Sequence, residues 1–233
     1  MRQIVLDTET TGMPVAEGHR IIEIGAVELI NRRPTGVTFH HYLNPERLID
    51  AGATAVHGIT DDDVRDQPRF ADIVDEFTAF IEGVEVIAHN AAFDVEFLDA
   101  ELARIPGTRP MAEIAAQITD SLAIARVKHP GQRNSLDALC RRYDIDNSAR
   151  TKHGALLDAE ILADVYLVMT GGQRVLAFDS SQHGAHLPGA EIRRLPPRSH
   201  RLMVIGPDES ARAAHEEWLK RLGKEGQPAA WPV

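Results

Sequence analysis

The sequence predicts an α/β fold, a mixed five-stranded sheet flanked by helices, with a linker and a helical tail behind it. Three features of the 233 residues predict it. Three strand-like apolar runs stand together near the N-terminus. Beyond residue 68, stretches with helical spacing alternate with short apolar runs, the pattern of helices laid on a sheet. Past residue 178 that periodicity stops, and Pro, Gly, Ser and His take over.

The first strand is expected at 3–7, in "QIVLD", and the second at 21–30, in "IIEIGAVELI". The third is expected at 36–43, in "GVTFHHYL", with "NRRPTG" turning the chain between the last two into a hairpin. In 68–83, Phe70, Ile73, Val74, Phe77, Phe80 and Ile81 recur at helical spacing. "VEVIA" (84–88) reads as a short buried strand and 92–105 as a helix. A short strand around Ile118–Thr119 precedes a helix from Ser121, and two more helices are expected near 134–143 and 154–169. Residues 179–200 read as a linker. Beyond it, Asp208 or Ser210 can cap a helix that lines up Ala211, Ala214, His215, Trp218 and Leu222. A tail of residues 200–233 is too short to bury that face alone, so it must dock on its own domain or on another chain.

Composition narrows the function. The formal net charge is −10. Residues 171–233 hold nine Lys/Arg against seven Asp/Glu, so the rest of the chain holds 16 against 28, a balance of −12. Such a surface argues against broad electrostatic gripping of nucleic acid. It leaves room for a nucleic-acid enzyme that uses metal ions and receives its substrate from a partner. No apolar run approaches the roughly 20 residues of a membrane span. The N-terminus lacks a basic segment followed by an apolar one. Cys140, the single cysteine, reads as a buried helix thiol beside Leu136 and Leu139. These features fit a cytoplasmic protein.

Four carboxylates and a histidine stand out. Asp7 and Glu9 are two apart in a strand and therefore face one way. Adjacent carboxylates repel unless a cation compensates; capping of the Thr-rich turn that follows is the alternative role. Asp94 shares a helical stripe with Phe97, Leu98, Leu102 and Ile105, where a carboxylate is costly unless paired or metal-bound. Its alternative is the favourable helix N-terminus. Asp158 lies on the stripe of Ile161, Leu162, Val165 and Met169, with no Lys or Arg on it, whereas Glu160 and Asp164 point elsewhere. Four acids in apolar surroundings suit hard divalent cations, and a pair of ions can clamp both oxygens of a phosphodiester displacement. His153 precedes Asp158 by five residues, about 140° apart on a regular helix. It is better placed on the approach to the helix, next to Gly154, as a general base or as an ordinary loop histidine.

Together these residues resemble the DEDDh exonucleases, which have an RNase H-like fold. Asp-x-Glu, then Asp, then His-x4-Asp is matched at Asp7, Glu9, Asp94, His153 and Asp158. "LDTETTG", "GHRIIEIGAVE", "VHGIT", "HNAAFD", "RNSLDALCRRYDIDNS" and "HGALLDAEILADVYLVMTGGQ" are similar to the proofreading (epsilon) branch of that family, which serves bacterial DNA polymerase III. The resemblance runs from about residue 1 to 178. It implies that Asp7, Glu9, Asp94 and Asp158 bind two Mg²⁺ or Mn²⁺ ions and that His153 deprotonates the attacking water. It also implies that the 3′-terminal nucleotide of a single-stranded or frayed DNA end meets Thr10, Thr11, Gly12, Met13, Val56, His57 and Phe93. "QRVLAF" resembles a sliding-clamp motif through Gln173, Leu176 and Phe178. The tail resembles a segment that docks on the polymerase alpha subunit, here through Trp218 and Leu222. A small theta-like subunit is a further partner in such assemblies. The implied division is a nuclease domain at 1–172, clamp motif and linker at 173–200, and docking tail at 201–233. The linker departs from the pattern in its Pro and His. An RNA-trimming nuclease and a non-catalytic scaffold are the competing readings; the complete acidic set and His153 argue against the scaffold.

Overall fold

The structure, a computed structural model, describes residues 1–148, 153–171 and 206–223, with side chains of the last run described through Lys220. The chain divides into two compact units, Met1–Phe178 and Asp179–Val233. The first holds strands β1 (Arg2–Thr10), β2 (Ile21–Ile30), β3 (Arg33–Tyr42), β4 (Glu85–Ala88) and β5 (Gln117–Asp120). They form one sheet in the order β3-β2-β1-β4-β5. β1, β2 and β3 are antiparallel neighbours, and β4 and β5 run parallel to β1. The helices of this unit are α1 (Ala51–His57), α2 (Asp61–Val64), α3 (Phe70–Ile81), α4 (Ala91–Leu102), α5 (Met111–Ile114), α6 (Ser121–Lys128), α7 (Leu136–Tyr143) and α8 (Ala155–Thr170).

Alternation along β1 separates the two faces. Ile4 and Leu6 join Phe70, Phe77, Phe97 and Leu98 of α3 and α4 in the larger core. Val5 joins Val27 and Leu29 of β2 and Ala159, Leu162 and Ala163 of α8 in a second core on the opposite face. Asp158 rides on the buried stripe of α8, while Glu160 and Asp164 are exposed. Cys140 is fully buried in α7.

The hairpin differs from expectation. Its turn is only Asn31–Arg32, both at positive φ (50° and 64°), and Pro34 already belongs to β3. Two successive left-handed residues match the twist of paired strands, and Pro is tolerated because β3 is an edge strand. α1, α2 and α5 are too short to show a period in sequence. In the second unit, α9 (Glu209–Gly223) is capped by Asp208, whose Oδ1 accepts the Ala211 N–H at 2.7 Å. Trp218 on α9 is 62% exposed. Gln173, Leu176, Phe178, the linker 179–200 and the Leu222 side chain lie outside the described residues. No helix among the described residues is long and apolar enough to cross a membrane.

Candidate active site

The C-terminal end of β1, at the centre of the sheet, is where the acids meet. Asp7 and Glu9 alternate with Thr8, so they point to the α8 face and Thr8 to the α4 face. Asp94 comes from the first turn of α4 and accepts a 2.8 Å hydrogen bond from Thr8 Oγ1. Asp158 comes from the first turn of α8. All four acids and His153 line one cleft of about 260 Å³.

β2 determines how close α8 approaches. Its register places Gly25 opposite Asp7 and Glu23 opposite Glu9. A Cβ at Gly25 would lie 2.1 Å from the Leu156 backbone nitrogen, so only a glycine admits the helix here. The buried Glu23 carboxylate accepts the Ala155 N–H at 3.1 Å, satisfying one of the unpaired amides at the start of α8. Its other oxygen lies 2.8 Å from His40 Nε2. Spacing within one segment does not reveal Glu23 and Gly25; only the pairing of β1 with β2 does.

Burial is the main force on the Asp94 carboxyl, and it pushes its pKa up to about 7 against the Thr8 hydroxyl and nearby backbone N–H groups. Among the described residues, no Lys or Arg lines the cleft. Oxygen donors with no cationic side chain among them fit a hard divalent cation. Ligand atoms of Glu9, His153 and Asp158 lie within 4.8 Å of one another. His153 Nδ1 is 3.2 Å from Asp158 Oδ2. The tautomer that donates Nδ1–H to Asp158 carries its lone pair on Nε2. The His153 backbone N–H also reaches the Val56 carbonyl, at 3.5 Å.

A second cavity, about 400 Å³, shares Glu9 and Phe93 with the first. Thr10, Gly12, Met13, Val56 and His57 line it. Met13 and Val56 are exposed; His57 is buried, its Nδ1 accepting the Ile59 N–H at 3.0 Å. Thr11 is not among the walls. It is fully buried, 3.1 Å from His19 Nδ1, and accepts the Arg20 N–H at 3.0 Å. Just past the register shift that closes β1, it turns inward, where it braces the loop that Thr10 and Gly12 present. Asp50, Gly52 and Ala53 complete the cavity. They lie at the start of α1, which carried no readable period in sequence.

An exonuclease family model matches residues 4–166. The DNA polymerase III subunit epsilon of Salmonella typhimurium is 53% identical over 99% of this chain and 97% of its own length. That of Escherichia coli is 52% identical over the same shares. Among solved structures, an E. coli exonuclease I complex with single-stranded DNA covers 74% of this chain and 41% of its own, with TM-score 0.62 at 18% identity. Exonuclease X in complex with 5′-overhanging duplex DNA covers 73% and 94%, with TM-score 0.55 at 24% identity. These two support the fold. The family model and the full-length relatives go further: this chain belongs to the exonuclease family, in the branch of the DNA polymerase III epsilon subunits.

Proposed function

We propose that the chain is the proofreading 3′→5′ exonuclease subunit of a bacterial replicase, hydrolysing the terminal phosphodiester of mispaired 3′ ends and releasing nucleoside monophosphates. The observation that carries this reading is the convergence of Asp7, Glu9, Asp94, Asp158 and His153, from β1, α4, α8 and the approach to α8, on one cleft. Enzymes of the family depend on divalent metal. In this reading the four carboxylates would hold two such ions, Mg²⁺ or Mn²⁺, which would supply charge stabilisation at the phosphate. Asp158 orients the His153 ring through Nδ1, and Nε2 takes the proton of the attacking water. The cavity of Thr10, Gly12, Met13, Val56, His57 and Phe93 receives the terminal nucleotide. Thr11 keeps its loop in place from behind. Asp7→Ala should abolish metal-dependent hydrolysis of single-stranded DNA while leaving the circular dichroism spectrum unchanged. Full activity in that variant would remove the reading.

The relatives' name supports assembly with a polymerase. In the proposed division, residues 1–172 form the nuclease, 173–200 carry the clamp motif and linker, and 201–233 dock on the polymerase alpha subunit. Gln173, Leu176 and Phe178 engage the sliding clamp, Trp218 and Leu222 anchor the tail, and a theta-like subunit is a further partner. The setting is the cytoplasm. Exposed Trp218 suits an anchor, since tryptophan dominates binding hot spots. Trp218→Ala should weaken polymerase binding by about 2 kcal/mol or more, measured by surface plasmon resonance. Unchanged affinity would place the docking elsewhere in the chain.

A further inference from the structure

A third cavity, about 500 Å³, adjoins the catalytic cleft through His89, Asn90 and Ser135. It shares no wall residue with the nucleotide cavity, which adjoins the cleft through Glu9 and Phe93. The cleft that holds the acids therefore adjoins two separate cavities. Arg126 lines the third and is the only Lys or Arg on the described walls of any of them. It makes no ion pair with a described residue. The stretch of sequence that carries it is basic. Residues 121–143 hold five Lys/Arg and one acid, Asp137, within a stretch 1–170 that holds 16 against 28.

The wall beside Arg126 is built rather than loose. His89 bridges Ser121 Oγ (2.9 Å) and the Asn134 carbonyl (2.8 Å). The buried Asn134 side chain donates to the carbonyls of His129 and Gln132 and accepts from Arg142 Nη1 at 3.1 Å. A wall that is already ordered loses little entropy on binding.

We propose that this cavity holds the substrate strand on the 5′ side of the scissile bond, with Arg126 contacting the phosphate there. The inference rests on the nuclease reading and supplies the strand's path: terminal nucleotide in the Thr10–Phe93 cavity, scissile phosphate at the carboxylates, preceding nucleotides against Arg126. It also answers how a domain this acidic accepts a polyanion, since one short basic segment lies where the strand enters.

The test compares two substrates of the full chain with Mg²⁺. TpT has only the scissile phosphate; an octathymidylate also has upstream phosphates. In Arg126→Glu, the ratio of kcat/KM for the octamer to that for TpT should fall about threefold to tenfold. The salt dependence of log KM for the octamer should flatten by about 0.7, the share of one phosphate on a single strand. Arg126→Gln should show the same changes, smaller. An unchanged ratio and slope would overturn the proposal and leave the basic segment to a protein partner. An equal fall on both substrates would overturn it too, since that marks a general disturbance of the site. If the unsubstituted chain cleaved neither substrate, the nuclease reading itself would fail, a result distinct from either.

Discussion

Asp94 and Asp158 are buried alike, at 3% exposure each, yet the fold holds them by different means. Asp94 is tied by a side-chain bond from Thr8. Its helix is moored at the far end by Glu101, which pairs with Arg20 through two contacts of 2.6 Å. Asp158 depends on backbone approach: α8 begins directly over Gly25, with Glu23 accepting its first amide. The site is thus assembled from both faces of one sheet, by polar ties on one and by a missing side chain on the other. The contrast teaches that equal burial need not mean equal cost. Burial drives Asp94 towards protonation, whereas Asp158 has an imidazole at 3.2 Å.

The largest effects should come from the acids themselves. Asp94→Asn and Asp158→Asn should each lower hydrolysis by on the order of 10³-fold or more, measured on single-stranded DNA with Mg²⁺. The comparison then predicts a split in stability. At pH 8 without metal, Asp94→Asn should raise the Tm, because it removes a buried charge, whereas Asp158→Asn should not. Equal Tm shifts would break the contrast.

Next comes His153→Ala, with turnover lower by roughly 10²–10⁴-fold and metal affinity, read by calorimetry, largely kept. This asks whether proton handling belongs to the α8 side alone. A pH–rate profile identical to that of the unsubstituted chain would count against His153 as the base.

Gly25→Ala probes the backbone approach. The added methyl meets backbone on α8, which cannot rotate away. Overpacking of this kind costs about 1–3 kcal/mol, and the shifted helix should also carry Asp158 and His153 out of place. Denaturant unfolding together with an activity assay checks both. Full activity at normal stability would show that α8 is not held by Gly25.

The last effect is on pH. The Asp94 carboxyl goes from the ordinary 3.8 to about 7 on folding, so the folded chain keeps a proton that the unfolded chain has lost. Its contribution to metal-free stability is complete below pH about 4 and is lost as pH rises through about 7. Tm measured in EDTA should therefore fall across that window, and Asp94→Asn should flatten the fall. Divalent cation should stabilise more at pH 8 than at pH 5. A Tm gain from Mg²⁺ that is the same at both would show that the site does not favour the ionised acid.

The sequence alone determined what depends on spacing within one segment. A period of two made Asp7 and Glu9 neighbours, and a period near 3.6 exposed Asp94 and Asp158 as acids on apolar stripes. It also separated His153, on the approach to α8, from the helix it precedes. Those relations follow from local backbone geometry and hold wherever the segment is placed. Tertiary structure alone decided which segments face one another. Antiparallel register set Gly25 against Asp7 and Glu23 against Glu9, and the inward turn at Thr11 gave it to His19 rather than to the cavity. The adjoining cavities that link Arg126 to Phe93 draw on residues from Asp7 to Asp158. Such pairings come from long-range burial and strand pairing, which no window of neighbouring residues contains.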